Sequence, residues 1–286
     1  MATAFNDAPT QTVKVDGADF AYRVIGDAGG PPIVLLHHLT GVLDDWDPAV
    51  IDGLAQQRRV IIFDNRGVGR SQGKTPDSVE AMAKDAIAFI GALGLTKVDL
   101  IGFSLGGFIA QVIAHDRPDI VRRMILAGTG PAGGKGTSNL GAILQDAFQN
   151  AAAQKKHPKH FLFFSQTETS QAAADAFLQR LQVRKNDRDP AASNETTQAQ
   201  SRCRRSIRSR SCRRCRMPNS ASSRMPGTAA SSNIIGNSPN RRFGSSQSDI
   251  RERGFLGGRP PVGGLFVLLA FASPAFTLIS QAPICR

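Results

Sequence analysis

The chain has 286 residues, 41% of them hydrophobic, which is enough to bury the core of one domain and too little for an array of domains. Its net charge of +12 would suggest a nucleic-acid partner if it were spread evenly, but residues 201–286 hold 15 Arg, no Lys and only Asp249 and Glu252 as acids, against 20 basic and 21 acidic residues in the first 200. All four cysteines (Cys203, Cys212, Cys215, Cys285) also follow residue 200, so two compositions meet there and the first excludes a disulfide scaffold.

The opening stretch MATAFNDAPTQTVKVDG has no apolar run and no early basic cluster. No secretory signal is expected from it, and a cytoplasmic location is the default. TVKVDGADFAYRVIGDAGG reads as two strands around an Asp-Gly turn. PPIVLLHH and RRVIIFDNRG are continuous apolar runs of the kind buried on both faces of a parallel sheet. DSVEAMAKDAIAFIGALG has helical spacing, with Val79, Met82, Ala83, Ala86, Phe89 and Ile90 on one stripe and Gly94 at its end. KVDLIGF is the next buried strand, LGGFIAQVIAHDRPD a helix and VRRMILAGTG another strand. Strands alternating with helices predict an α/β fold with a mostly parallel, doubly wound sheet.

Within that alternation, DLIGFSLGGF places Ser104 in Gly-x-Ser-x-Gly, after a strand and before a helix. A tight strand-to-helix turn needs small residues at Gly102 and Gly106, lifts Ser104 above the sheet and leaves helix N–H groups unpaired beside it. A bare Gly-x-Ser-x-Gly also occurs in ordinary glycine-rich turns, and the flanking strand and helix are what make a nucleophile the stronger reading. LLHHLTG (Leu35 to Gly41) follows the PPIVLL strand, where backbone N–H groups can receive an oxyanion. Leu39 and Leu105 are the candidate donors. His37 and His38 are read as polar groups that fix this loop.

HHLTG, FDNRGVGRS and GFSLGG, in this order and spacing, resemble the α/β-hydrolase superfamily near its esterase, lactonase and cofactor-free haloperoxidase-like members. The resemblance spans residues 10 to about 200. It implies a core over 1–132, a helical cap over 133–200, and a triad of serine, acid and histidine in that chain order. It also implies a small-molecule ester or lactone as substrate, with no cofactor and no metal. DNRGVGRS (Asp64 to Ser71) matches a turn of the family that is structural.

The chain departs from that pattern in its late partners. Its five histidines are His37, His38, His115, His157 and His160, and none follows. His115 lies eleven residues beyond Ser104, about 16 Å along a helix at ~1.5 Å per residue. His157 and His160 sit beside Lys in the cap region, where a solvated surface is expected. No carboxylate precedes Asp146 after MILAGTG, and Asp249 and Glu252 have no strand before them.

Residues 201–286 contain the Arg/Ser-rich SRCRRSIRSRSCRRCR and no visible apolar period before VGGLFVLLAFASPAFTLI. Read in a frame shifted by one base, Met225/Pro226 must give alanine, and the junctions from Pro226 to Asn233 permit Gly-His-Gly-Gly-Ile-Phe-Gln, which resembles the family's histidine loop. The sheet is therefore expected to be truncated at its C-terminal strands, the triad to be incomplete as written, and residues 201–286 to lack a stable fold. The rival expectation is a non-catalytic hydrolase-like protein whose basic tail binds RNA or associates with a membrane. Neither nucleic acid nor membrane is the expected partner, since the first 200 residues are near neutral and the late apolar run is short and contains Pro274.

Overall fold

Seven strands form one sheet in the order β1-β2-β4-β3-β5-β6-β7 in a computed structural model that describes residues 4–131, 139–209 and 266–269. β1 (Gln11–Val15) and β2 (Ala18–Ile25) pair antiparallel across Asp16 and Gly17, both at positive φ (45° and 80°), the conformation an Asp-Gly hairpin turn requires. β2 pairs antiparallel with β4 (Val60–Phe63), and from there the sheet is parallel through β3 (Ile33–Leu36), β5 (Val98–Phe103) and β6 (Val121–Ala127). This is the mostly parallel, doubly wound α/β sheet that the strand and helix alternation predicts, with helices on both faces.

β3 and β4 are buried along their whole length because both faces are covered. Val34 and Leu36 enter a core with Ile61, Phe63 and the helices α2 (Val79–Ala92) and α3 (Leu105–Asp116). Ile33 and Leu35 enter the opposite core with Phe5, Trp46 and Ile51, the last from α1 (Pro48–Ala55). The buried side chains of α2 are Val79, Met82, Ala83, Ala86, Phe89 and Ile90, the stripe its spacing predicts, and Ser78 caps its start by accepting from the Ala81 N–H. At the opposite end of the sheet from Ser104, Asp99 receives Arg122 through two bonds (2.8 and 2.6 Å) and Arg58 through one (2.8 Å), tying β5 to the segments around β4 and β6.

Three helices follow β6 in the region read as a cap: α4 (Leu140–Gln154), α5 (Lys159–Leu162) and α6 (Glu168–Leu181). The segment leaving α6 returns to the core through buried charges. The Arg23 guanidinium, fully buried, donates to Asp44 at 2.6 Å, to the Asp187 carbonyl at 3.0 Å and to Asp189 at 3.3 Å. Arg184 donates to the carbonyls of Phe5, Asn6 and Ala8, and Arg70 pairs with Asp187 at 2.6 Å and Asp189 at 3.3 Å. Arg23, Asp44, Arg184 and the Asp189 carboxylate lie in a low-dielectric interior, where charges persist only when paired, and Arg70 and Asp187 join them from the surface.

Two elements fall within 201–286, the segment expected to lack a fold. α7 (Asn194–Ser209) runs across the change of composition at 200/201. Over its residues 194–203 the buried ones are Thr196, Ala199, Gln200 and Cys203, spaced as one face of a helix; two of the four are polar, so the stripe is invisible to a hydrophobic pattern. β7 (Phe266–Leu269) pairs parallel with β6, placing Phe266 opposite Met124 and Leu269 opposite Ala127. An apolar run in search of backbone partners matches an open parallel edge. The rest of the Arg/Ser-rich tail, and the apolar run beyond Leu269, lie outside the described residues.

Candidate active site

β5 ends at Phe103 and α3 begins at Leu105, so a single residue, Ser104, makes the whole turn. It does so at φ 53° and ψ −111°, a strained conformation for a residue with a side chain. The Ser104 N–H donates to the Ala127 carbonyl at 2.9 Å, and its carbonyl accepts the Gly107 N–H at 2.9 Å. Space is the reason for the glycines. A Cβ on Gly102 would lie 2.5 Å from the Gly106 carbonyl oxygen, one on Gly106 would overlap the Leu36 carbonyl, and one on Gly107 would overlap the Thr129 side chain. Gly107, which the five-residue motif does not include, is as constrained as the two that it does.

β3 and β5 are neighbours with Leu36 opposite Gly102, so the loop leaving β3 runs beside Ser104. In this loop Gly41 donates to the His38 carbonyl at 3.1 Å, while the Leu39 carbonyl accepts from Thr40 Oγ1 at 2.6 Å and meets His38 Nδ1 at 2.7 Å. The N–H groups of Leu39 and Leu105 have no protein acceptor among the described residues, and that of Leu105 opens a helix of 12 residues.

Both histidines of the loop are buried, and burial holds each below the usual histidine range, His37 further than His38. They are neutral imidazoles at neutral pH. His37 lies 4.4 Å from the Trp46 ring, and His38 packs edge-on against Phe103 and Phe163, so the loop and the segment after α5 share an aromatic wall beside Ser104. With Nδ1 turned to the Leu39 carbonyl, His38 leaves Nε2 buried without a partner. Asp45, at the end of this loop, accepts from Lys159 of α5 at 2.5 Å and from the Val42 N–H at 3.1 Å. Its carboxyl sits at about 2, because the Lys159 charge and the neighbouring histidines outweigh the cost of burial. This loop-to-cap ion pair is not apparent from sequence, since its members are 114 residues apart.

The remaining histidines are engaged elsewhere. His115 meets Asp116 at 2.8 Å on the exposed end of α3. His157 is exposed, as expected of a solvated cap. His160 is not: it is buried, with Nε2 2.7 Å from Asp175 and Nδ1 3.1 Å from the His157 carbonyl, so both ring nitrogens are occupied. A residue spaced to face inward from a short helix finds its partner on the next helix, which a reading of local charge misses. Among the described residues no histidine hydrogen-bonds Ser104, no group of His, Cys, Asp and Glu could hold a metal, and no helix is long and apolar enough to cross a membrane.

Residues 31–223 match the family model described as alpha/beta hydrolase fold. A solved alpha/beta hydrolase fold protein from Chitinophaga pinensis is 42% identical, covers 71% of this chain and 73% of its own, and superposes with a TM-score of 0.67. The sn-1-specific diacylglycerol lipase ABHD11 of Mus musculus is 36% identical over 121 residues, 42% of this chain and 39% of its own length. A non-heme chloroperoxidase of Streptomyces lividans is 35% identical over 118 residues, 41% of this chain and 43% of its own. The chain thus matches about two fifths of the length of these curated relatives.

Proposed function

The chain belongs to the alpha/beta hydrolase fold family, and on that premise we propose that it carries the site of a serine hydrolase for a small ester or lactone, with Ser104 as nucleophile. The observation that supports this most is the turn itself. A serine held at positive φ, at the end of a strand and the mouth of a helix, with glycines cleared around it, has no structural reason to be there. Ser104 Oγ would attack the acyl carbon, and the Leu39 and Leu105 N–H groups would receive the charge on the carbonyl oxygen in the tetrahedral intermediate. One relative is named as a diacylglycerol lipase, which fits an acyl ester as the kind of substrate.

Attack requires a base to take the Ser104 proton. His115 and His160 hold other partners, His157 is exposed, neither His37 nor His38 hydrogen-bonds Ser104 although both are buried in the neighbouring loop, and no histidine follows residue 160. The chain as written therefore supplies nucleophile and oxyanion donors without the relay. A histidine loop like that of the family is compatible with the shifted frame around Met225 to Asn233, and nucleotide sequencing of codons 195–250 tests that reading directly. For the chain itself, we expect no hydrolysis of p-nitrophenyl acetate above the Ser104→Ala background and no labelling of Ser104 by a fluorophosphonate. Loss of a triad member costs on the order of a millionfold in turnover. Hydrolysis by the unmodified chain that Ser104→Ala abolishes would show that a base is present after all. Restoring the frame and the missing strand should switch on both activities together.

A further inference from the structure

Thr40 is a β-branched residue at φ 62°, in the left-handed region that such side chains avoid. Something must hold it there, and the contacts around it show what. The Leu39–Thr40 peptide is gripped at its oxygen by Thr40 Oγ1 and faces His38 Nδ1, both from within the loop. Its N–H donates at 2.6 Å to Oε1 of Gln200, which arrives on α7 from 160 residues further along and is fully buried. The preceding peptide has its carbonyl, that of His38, accepting from Gly41. A trans peptide points its N–H opposite to its carbonyl, so the direction of the Leu39 N–H follows from how these two peptides are held.

We propose that Gln200 is a positioning residue for the oxyanion turn: by accepting the Thr40 N–H it holds the left-handed step that aims the Leu39 N–H at the space beside Ser104. The inference rests on the reading of Leu39 as an oxyanion donor. Gln200 is not needed to dock its own helix. Thr196 Oγ1 donates to the Gly67 carbonyl at 2.9 Å, Ala199 is buried, and Cys203 Sγ lies against the Pro76 carbonyl and the Met82 sulfur. Removing the acceptor should thus loosen the turn and leave α7 seated.

The test uses the full chain and two readouts. The first is amide hydrogen exchange at Thr40. Gln200→Met, similar in length and without an acceptor, should speed it at least about tenfold, while Gln200→Glu, which keeps an acceptor oxygen, should leave it slow. Should Gln200→Met fail to fold, Gln200→Asn serves instead, because its shorter amide cannot reach Thr40. The second readout is the Ser104-dependent part of p-nitrophenyl acetate hydrolysis with imidazole supplied in solution as the base, taken as the difference from Ser104→Ala at the same imidazole concentration, which removes the direct attack of imidazole on the ester. A misdirected oxyanion donor should lower the Ser104-dependent kcat by roughly ten- to a hundredfold with KM unchanged. Unchanged exchange at Thr40 in Gln200→Met or Gln200→Asn overturns the proposal, as does an unchanged imidazole-supported kcat. If Ser104→Ala leaves the imidazole-supported rate intact, the nucleophile reading falls, and Thr40 exchange still decides the role of Gln200 in the turn.

Discussion

Two buried polar regions of this molecule are built on opposite plans. Between the N-terminal segment, β2 and the exit from α6, the buried guanidiniums of Arg23 and Arg184, joined from the surface by Arg70, meet Asp44, Asp189 and the exposed Asp187, and most of their donors find carboxylates or carbonyls. Around Ser104 an Asp45–Lys159 ion pair joins the loop to α5, and several neutral groups have no partner among the described residues: His38 Nε2 and the N–H groups of Leu39 and Leu105. Satisfied polar groups hold segments together, whereas unsatisfied and strained ones are the raw material of a site. The difference identifies which buried polar residues serve architecture and which are available for chemistry.

The severest way to break the comparison is Gly106→Ala, whose Cβ would overlap the Leu36 carbonyl. It is expected to yield no folded protein, and a cooperative urea transition near that of the unmodified chain would show that the turn is looser than described. Next comes the paired region. Arg23→Met removes the shortest charged partner of Asp44 and the fully buried partner of Asp189, leaving them Arg184 and Arg70, and should cost about 3 kcal/mol by urea denaturation; a cost below about 1 kcal/mol would mean that water or the remaining arginines satisfy the cluster. At the unpaired region the sign reverses. Ser104→Gly relieves a positive φ and should stabilise the protein by about 1 kcal/mol while removing the nucleophile. A loss of stability there would argue against stored strain.

The two regions should also differ in pH dependence. Burial pushes the Asp189 carboxyl up to about 6, against the pull of Arg23, from 3.8 in the free residue. The folded state therefore binds this proton more tightly than the unfolded, and the contribution is present below pH 3.8 and lost as pH rises through about 6. Burial lowers His38 from 6.5, so its contribution is present above that value and lost as pH falls below it. Compared by denaturation at pH 5 and 7, the unmodified chain should lose ground to Asp189→Asn on going to pH 7, and to His38→Phe on going to pH 5. Parallel slopes would remove the distinction. The smallest effect is expected at the surface. Arg180 makes two bonds to Asp47 (2.8 and 2.7 Å) but is 38% exposed, so Arg180→Ala should cost no more than about 0.5 kcal/mol.

Much of the fold was legible in the amino-acid order. The Asp-Gly hairpin, the buried strands β3 to β6, the stripe of α2 and the position of Ser104 between β5 and α3 each follow from a pattern a few residues long. α1 was not legible, since Pro48 at its first turn and Asp47 as its cap are its main signals and its apolar face is short. α7 was hidden by the polarity of its buried face, and β7 by its place in a segment whose composition suggests no fold.

The patterns readable along the chain are local: period two or 3.6 in apolar residues, glycines where backbones touch, and a Gly-x-Ser-x-Gly turn whose geometry is enforced by its immediate neighbours. Only the tertiary structure decided which polar groups are partners. Arg23 meets Asp189, Lys159 meets Asp45, His160 is buried against Asp175, and Gln200 reaches Thr40, across separations of 15 to 166 residues. A charged or amide side chain has the same local sequence signature whether water or another residue satisfies it. The choice is made by burial, which desolvates the group and leaves a partner brought from elsewhere in the chain as the means of offsetting that cost.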